Sequence, residues 1–173
     1  ALGFTMQTPE EERFLMDRDY IFGEIRILLA GRSAEELVFN TQSTGAANDI
    51  ERATDLARKM VTMYGMSEKF GMMGLATVQN QYLDGSMGLT CAQDTAAQID
   101  QAIKEIIERS HAEALAILRE NREMLDKLSE YLLQKDTITG AELTAILEGR
   151  DPEEAAEPKE HPSERAWMSA RHR

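Results

Sequence analysis

The sequence predicts a mainly α-helical, bundle-like domain with one short edge strand at its amino terminus. Apolar residues recur at helical spacing in long segments that begin near residues 18, 48 and 93. Residues 1–8 instead alternate in polarity, which is typical of a strand, and Pro9 closes this stretch. The 173 residues are 42% hydrophobic and 29% charged, which excludes collagenous, disulfide-rich and wholly disordered chains.

The first helix is predicted over residues 18–39. Its apolar stripe consists of Ile21, Ile25, Leu28 and Leu29. Gly31 interrupts the pattern, and a glycine inside a helix costs about 1 kcal/mol relative to alanine. We therefore expect either a break or a close packing contact at this position.

The second helix is predicted to begin at a capping box and to end at a glycine. Asn48 followed by Glu51 approximates the capping-box pattern, with Asn in place of Ser or Thr. Gly65 stands where a C-terminal cap glycine is common. A glycine-rich connection follows, with a short strand predicted at 75–78.

The longest helical segment is predicted to begin after a second box, formed by Thr90 and Gln93. It continues to about Arg119 and resumes after Asn121 with the same period. Thr139-Gly140 breaks the chain, and a short closing helix is predicted over 141–147.

The composition changes after Gly149, so we predict one domain over residues 1–148 and a tail over 149–173. The tail contains three of the four prolines and few apolar side chains. A polar, acidic segment of this kind buries too little apolar area to offset its ordering entropy. We expect the tail to be disordered.

The net charge of −12 argues against nucleic-acid binding, because neutralising phosphates requires clustered Lys and Arg. Cys91 is the single cysteine, so an internal disulfide is impossible. The apolar runs are far shorter than the roughly 20 residues that span a bilayer, and no signal peptide is visible. A first residue of Ala suggests a fragment or a processed chain.

The residues do not form a complete active site by themselves. None of His111, His161 and His172 has a second histidine four residues away, so the His-Glu-x-x-His motif of zinc peptidases is absent. The Gly-x-Ser-x-Gly and phosphate-loop motifs are also absent. For His111, inside a helical segment, a packing role is favoured over a ligand role.

Asp49 has two interpretations at this point. In the first turn of a helix, a carboxylate interacts with the dipole by roughly 0.3–1 kcal/mol, which requires no function. Alternatively, it is a metal ligand delivered by the helix start to a site built elsewhere. Spacing alone favours the first interpretation.

Four blocks carry a resemblance that changes this balance. They are ALGFTMQ at 1–7, LAGRSAEELVF at 29–39, STGAANDIERAT at 43–54 and MVTMYGMSEK at 60–69. In order and spacing these blocks resemble the FtsH family of membrane-anchored, ATP-dependent zinc metalloproteases. The similarity continues to about residue 147 and does not include the tail.

The resemblance implies the carboxy-terminal part of a predominantly helical peptidase domain. Asp49 would be the third zinc ligand, beside two histidines of a His-Glu-x-x-His helix that stands upstream in the family. ATP and Mg²⁺ would be bound by a further upstream module, and the complete protein would be a homo-hexamer that degrades unfolded and membrane proteins. The family implies the cytoplasmic face of a bacterial inner membrane, or an organelle interior in a eukaryote, with this fragment itself soluble.

Further site residues are hypotheses from the same resemblance. Glu35 or Glu36 would orient a metal-bound histidine, although a surface role in ion pairs with Arg32 is simpler for each. The strand residues Gly3, Phe4, Thr5 and Met6 would pair with extended substrate by strand addition. A proline at Thr5 that left cleavage unchanged would contradict that idea.

We expect this chain to be inactive alone, because one carboxylate cannot retain zinc and the general base is absent. Two other functions remain open: a helical oligomerisation scaffold, or an adaptor derived from a dead protease. A His-Glu-x-x-His motif in the coding sequence upstream of Ala1 would favour the protease.

Overall fold

The computed structural model describes residues 15–78, 87–89 and 92–155. In chain order, the elements are α1 (Arg18–Phe39), a 3-10 turn (Thr44–Ala46), α2 (Ala47–Thr62), β1 (Ala76–Val78), β2 (Met87–Leu89), α3 (Gln93–Glu120), α4 (Arg122–Lys135), α5 (Gly140–Leu147) and α6 (Pro152–Ala155). The prediction of a mainly α chain is confirmed. The predicted edge strand over residues 1–8 and the predicted cap at Thr90 lie outside the described residues.

The chain divides into two compact units between Arg119 and Glu120. The first unit contains α1, α2, the two strands and all but the last residue of α3, and the second contains α4, α5 and α6. The division into a domain over 1–148 and a tail stays a prediction. One helical turn, α6, lies inside the segment expected to be disordered, and residues 156–173 lie outside the described residues.

Helix α1 runs without interruption through Gly31. Asp17 caps its start, because the Asp17 carboxylate accepts a hydrogen bond from the Tyr20 N–H at 2.8 Å. Asn40 ends it in the left-handed conformation, with φ of 48°. A Cβ built on Gly31 would meet nothing within 4 Å in the described part of the chain. The expectation of a break or a close contact is therefore wrong among these residues.

Helix α2 does not begin at the predicted capping box. Its N-cap residue is Ala46, which offers no side-chain hydrogen bond, and Asn48 lies inside the first turn. The cap belongs instead to the preceding 3-10 turn, where the Ser43 hydroxyl accepts from the Gly45 N–H at 3.2 Å. The chain is thus already turning when α2 begins, so no capping role remains for Asn48.

The core of the first unit lies where α1, α2 and α3 meet. Its fully buried members include Ile21 and Ile25 of α1, Ala57 and Met60 of α2, and Ile99 of α3. Burying a large aliphatic side chain contributes about 1.5–3 kcal/mol, so this cluster dominates the stability of the unit. It fixes the axial rotation of α1 and α2, and so decides which side chains of these helices face one another.

A two-stranded antiparallel ribbon follows α2, with Ala76 opposite Leu89. Helix α2 ends at Thr62, earlier than Gly65 predicts, and the Leu75 N–H donates to the Thr62 carbonyl at 2.9 Å. Gly65 has a φ of +64°, and a Cβ there would lie 3.1 Å from the Met72 Cα. The connection after α2 therefore requires glycine at this turn.

Candidate metal-ligating site

Asp49 lies in the first turn of α2, where its side chain is 47% exposed. Its Oδ1 is 3.8 Å from Nη1 of Arg52 on the next turn, an exposed ion pair that contributes at most about 1 kcal/mol. A carboxylate that is accessible and weakly paired suits a zinc ligand, since zinc accepts oxygen donors from Asp and Glu. The residue therefore fits the role of one ligand, contributed to a site completed by other groups.

The described residues do not supply those other groups. No cluster of three or more His, Cys, Asp or Glu side chains that could hold a metal occurs within 15–78, 87–89 and 92–155. Asp49 thus belongs to no such cluster in this part of the chain. The assignment of Asp49 to zinc stays a prediction.

The loop before α2 is held by two side chains of α1. Nη2 of Arg32 donates to the Ser43 carbonyl at 2.7 Å, and the Ser43 N–H donates to Oε2 of Glu35 at 3.2 Å. The Ser43 hydroxyl donates to the other oxygen, Oε1, of the same carboxylate. Arg32 and Glu35 also pair with each other at 3.5 Å. Ser43 is therefore bound through its N–H, its carbonyl and its hydroxyl.

These contacts favour the ionised form of Glu35. The hydrogen bond from the Ser43 hydroxyl lowers the pKa of the carboxyl most, followed by the bond from the Ser43 N–H, with a smaller effect from Arg32. Both carboxylate oxygens accept at once, and protonation would turn one of them into a donor and a much poorer acceptor. Glu35 consequently acts as an acceptor for the loop at neutral pH.

The neighbouring carboxylate, Glu36, faces a different helix. Its Oε2 lies 3.0 Å from Nε2 of His111 in α3, and Nδ1 of His111 lies 2.9 Å from the Ser33 hydroxyl. Ser33 is fully buried and also donates to the Leu29 carbonyl at 3.1 Å. A hydroxyl enclosed in this way cannot reach a substrate, so this Ser-His-Glu arrangement packs α1 against α3.

The structure thus gives both predicted glutamates partners within the chain. Glu35 holds Ser43 and Glu36 holds His111, while the hypothesis that either orients a metal-bound imidazole stays a prediction. Ser43 and His111 are the partners that sequence reasoning did not connect with them. The pair Ser43 and Gly45 is typical of a serine-capped turn, but its distance along the chain from Glu35 conceals the contact.

Two clefts lie beside α1 among the described residues of the first unit, and Asp49 lines neither of them. One, of about 540 Å³, separates the start of α1 from α2 and is lined by acidic Glu24, Glu51 and Asp55 among others. The other, of about 420 Å³, separates α1 from α3. Its guanidinium groups pair with nearby carboxylates, as in Arg26 with Glu113 at 3.1 Å. This second cleft is an ion-pair network between helices.

The four strand residues considered for substrate pairing, Gly3, Phe4, Thr5 and Met6, lie outside the described residues. Among the helices that the structure describes, none combines the length and apolar character needed to cross a membrane.

Known proteins are similar in sequence to this region and to most of the chain around it. The profile of peptidase family M41 matches residues 1–146. A relative from Clostridium perfringens, named ATP-dependent zinc metalloprotease FtsH, is 49% identical over 153 residues, covering 88% of this chain and 21% of the relative. A relative of the same name from Lancefieldella parvula is 50% identical over 147 residues, covering 85% and 23%. ATP-dependent zinc metalloprotease FtsH 4 from Synechocystis is 47% identical over 151 residues, covering 85% and 24%.

The match shows the family of this chain but covers only a small part of each relative. This chain spans about a fifth to a quarter of the length of these curated relatives. The match nevertheless includes α1, the loop at Ser43 and all of α2, which carry the candidate site. The chain belongs to peptidase family M41, the peptidase family of FtsH.

Proposed function

We propose that this chain is part of the peptidase domain of an ATP-dependent zinc metalloprotease, and that Asp49 contributes the third protein ligand to the zinc. The supporting observation is the accessible, weakly paired carboxylate at the start of α2, within a region that matches the family throughout. The names of the relatives support zinc-dependent proteolysis.

The residues of this chain perform the binding part of that chemistry. Asp49 holds one position on the metal, and α2 fixes the direction from which its carboxylate approaches. Zinc bound by three protein ligands polarises a carbonyl and lowers the pKa of a bound water to about 7. The two imidazoles and the general base belong to a His-Glu-x-x-His segment of the longer protein.

The complete protein also binds ATP and Mg²⁺ in a separate module, assembles as a homo-hexamer and degrades unfolded and membrane proteins. It is anchored in the inner membrane of a bacterium with its peptidase in the cytoplasm. These features follow the resemblance to FtsH, and the words "ATP-dependent" in the names of the relatives support the nucleotide requirement.

The decisive experiment compares Asp49→Asn with Asp55→Asn in the complete protein. Asp55 is the matched control, because it lies on the same helix with a similar exposure of 49% and pairs with Lys59 at 2.7 Å. Loss of outer partners of a metal ligand lowers affinity about 10–100-fold, so loss of a ligand is expected to lower it more than 100-fold. Zinc content and casein cleavage should fall with Asp49→Asn alone.

Unchanged zinc content in Asp49→Asn would overturn the assignment of Asp49, whereas a parent protein with neither zinc nor casein cleavage would favour a non-catalytic scaffold. A second measurement concerns the chain by itself. With one carboxylate available, it is expected to bind no stoichiometric zinc and to leave casein uncut. One tightly bound zinc per isolated chain would contradict this.

A further inference from the structure

We infer that Glu35 is a positioning residue for Asp49: by gripping Ser43, it fixes where α2 begins and from which direction the Asp49 carboxylate reaches the metal. This inference rests on the proposed role of Asp49. It assigns Glu35 a different task from the orientation of an imidazole, since its acceptors are directed at the loop before α2.

Ser43 makes several hydrogen bonds to side chains of α1. Glu35 accepts from both the N–H and the hydroxyl of Ser43, while Arg32 binds the Ser43 carbonyl at 2.7 Å. Arg32 and Glu35 are three residues apart, so they share one face of α1. A rigid helix thus binds one loop residue by all three of its polar groups.

The 3-10 turn connects Ser43 directly to α2. The Ser43 hydroxyl accepts from the Gly45 N–H, and the Ala47 N–H donates to the Thr44 carbonyl. Ala46, between them, is buried, with 7% exposure. The 3-10 turn passes directly into the first turn of α2, so the position of Ser43 sets the position of that turn.

The start of α2 lacks a side-chain cap. Its N-cap residue, Ala46, makes no side-chain hydrogen bond. Helix starts leave four N–H groups without intrahelical partners, and these ends fray unless something holds them. The grip on Ser43 supplies that restraint from outside the helix.

Glu36 provides a natural contrast. It lies on the same helix beside Glu35 and carries the same charge, but it contacts His111 of α3 and not the loop. A change at Glu36 loosens α1 from α3, whereas a change at Glu35 releases the start of α2. Comparison of the two separates positioning of Asp49 from general loss of stability.

The test uses the complete protein and the variants Glu35→Gln, Glu36→Gln, Ser43→Ala and Ser43→Thr. The first readout is hydrogen exchange of the Ser43 and Gly45 amides in the metal-free protein. The second is the zinc dissociation constant from competition with a chelator. We expect Glu35→Gln and Ser43→Ala to speed exchange and to weaken zinc binding about 10-fold. Glu36→Gln and Ser43→Thr, which keep the grip, should preserve both.

Each other outcome overturns the inference. Unchanged exchange in Glu35→Gln means that Glu35 does not hold the loop, and faster exchange with unchanged zinc affinity means that the loop does not position Asp49. Equal loss of zinc affinity in Glu35→Gln and Glu36→Gln would favour orientation of an imidazole. Asp49→Asn is measured alongside: if it leaves the zinc affinity unchanged, the proposed function itself fails, whatever Glu35→Gln shows.

Discussion

The starts of α2 and α5 are held by the same chemistry arranged in different ways. At α5, Thr139 and Glu142 form a capping box: Glu142 accepts from the Thr139 N–H at 2.7 Å and its own N–H donates to Oγ1 of Thr139 at 3.3 Å. At α2, the carboxylate that accepts from Ser43 belongs to Glu35 of another helix. One start is specified by its own residues and the other by a distant partner.

The difference in burial follows from this arrangement. Glu142 is 6% exposed and also accepts from the Tyr131 hydroxyl of α4 at 2.9 Å, which joins α4 to α5. The side chain of Glu35 is 28% exposed. A buried carboxylate must keep every partner, because an unpaired charge away from water is costly. A partly exposed one can exchange a partner for water, so the start of α2 is the more adjustable of the two.

The largest effect is expected at the buried carboxylate, in Glu142→Gln. The amide that replaces one oxygen is a donor. It would either face the Thr139 N–H, which is also a donor, or force the Tyr131 hydroxyl to accept instead of donate, and in both cases the bonds to an ionised oxygen are lost. Loss of Thr139 as a cap leaves Glu142 with its other partners, so Glu142→Gln should lower the unfolding midpoint more than Thr139→Ala does. Thermal unfolding of the chain followed by circular dichroism measures both.

The same pair makes a pH prediction. Hydrogen bonds from the Thr139 N–H, the Tyr131 hydroxyl and the Thr139 hydroxyl, in that order, lower the pKa of Glu142 below its ordinary value of 4.5. The stabilisation is therefore complete above pH 4.5 and is lost as the pH falls through the lower pKa of the folded state. Glu142→Gln should flatten this acid limb. An unchanged limb would mean that folding does not lower the pKa of Glu142.

Tyr131 supplies an independent check at high pH. Burial, followed by the bond to Glu142, raises the pKa of the Tyr131 phenol to about 12. Its stabilising effect is present below pH 10, the ordinary pKa of tyrosine, and is lost as the pH rises through about 12. Ultraviolet titration should show a late phenol that is absent in Tyr131→Phe and shifted towards 10 in Glu142→Gln.

A smaller effect is expected for the cap itself. Thr139→Ala removes the hydroxyl that accepts from the Glu142 N–H, and loss of such a cap costs about 1 kcal/mol. Thr139→Ser keeps the hydroxyl and should remain near the parent in urea unfolding. A loss of equal size in Thr139→Ser would point to packing of the threonine methyl group.

The comparison also explains how far sequence reasoning reaches. The long helices follow from apolar periodicity, and α1 coincides with the predicted 18–39, although past Gly31 its buried face continues only as Ser33. The box at Thr139 and Glu142 is local and readable, although we predict only a chain break there. The grip of Glu35 on Ser43 depends on how α1 packs against the loop, which periodicity does not encode. The capping box predicted at Asn48 is wrong because it considers only residues near the helix start, whereas the contact that holds this start comes from α1.

The smallest predicted effect is the change in stability in Asn48→Ala. Its sign, compared with that for Ser43→Ala, shows which residue caps the start of α2. If Asn48 capped α2, alanine there would cost about 1 kcal/mol. The structure places Asn48 inside the helix, where alanine is the better helix former, so Asn48→Ala should stabilise the chain by a few tenths of a kcal/mol. Ser43→Ala should destabilise it by about 1 kcal/mol, since the capping hydroxyl is lost. Urea unfolding of both variants measures these changes. Destabilisation by Asn48→Ala would mean that Asn48 does cap α2.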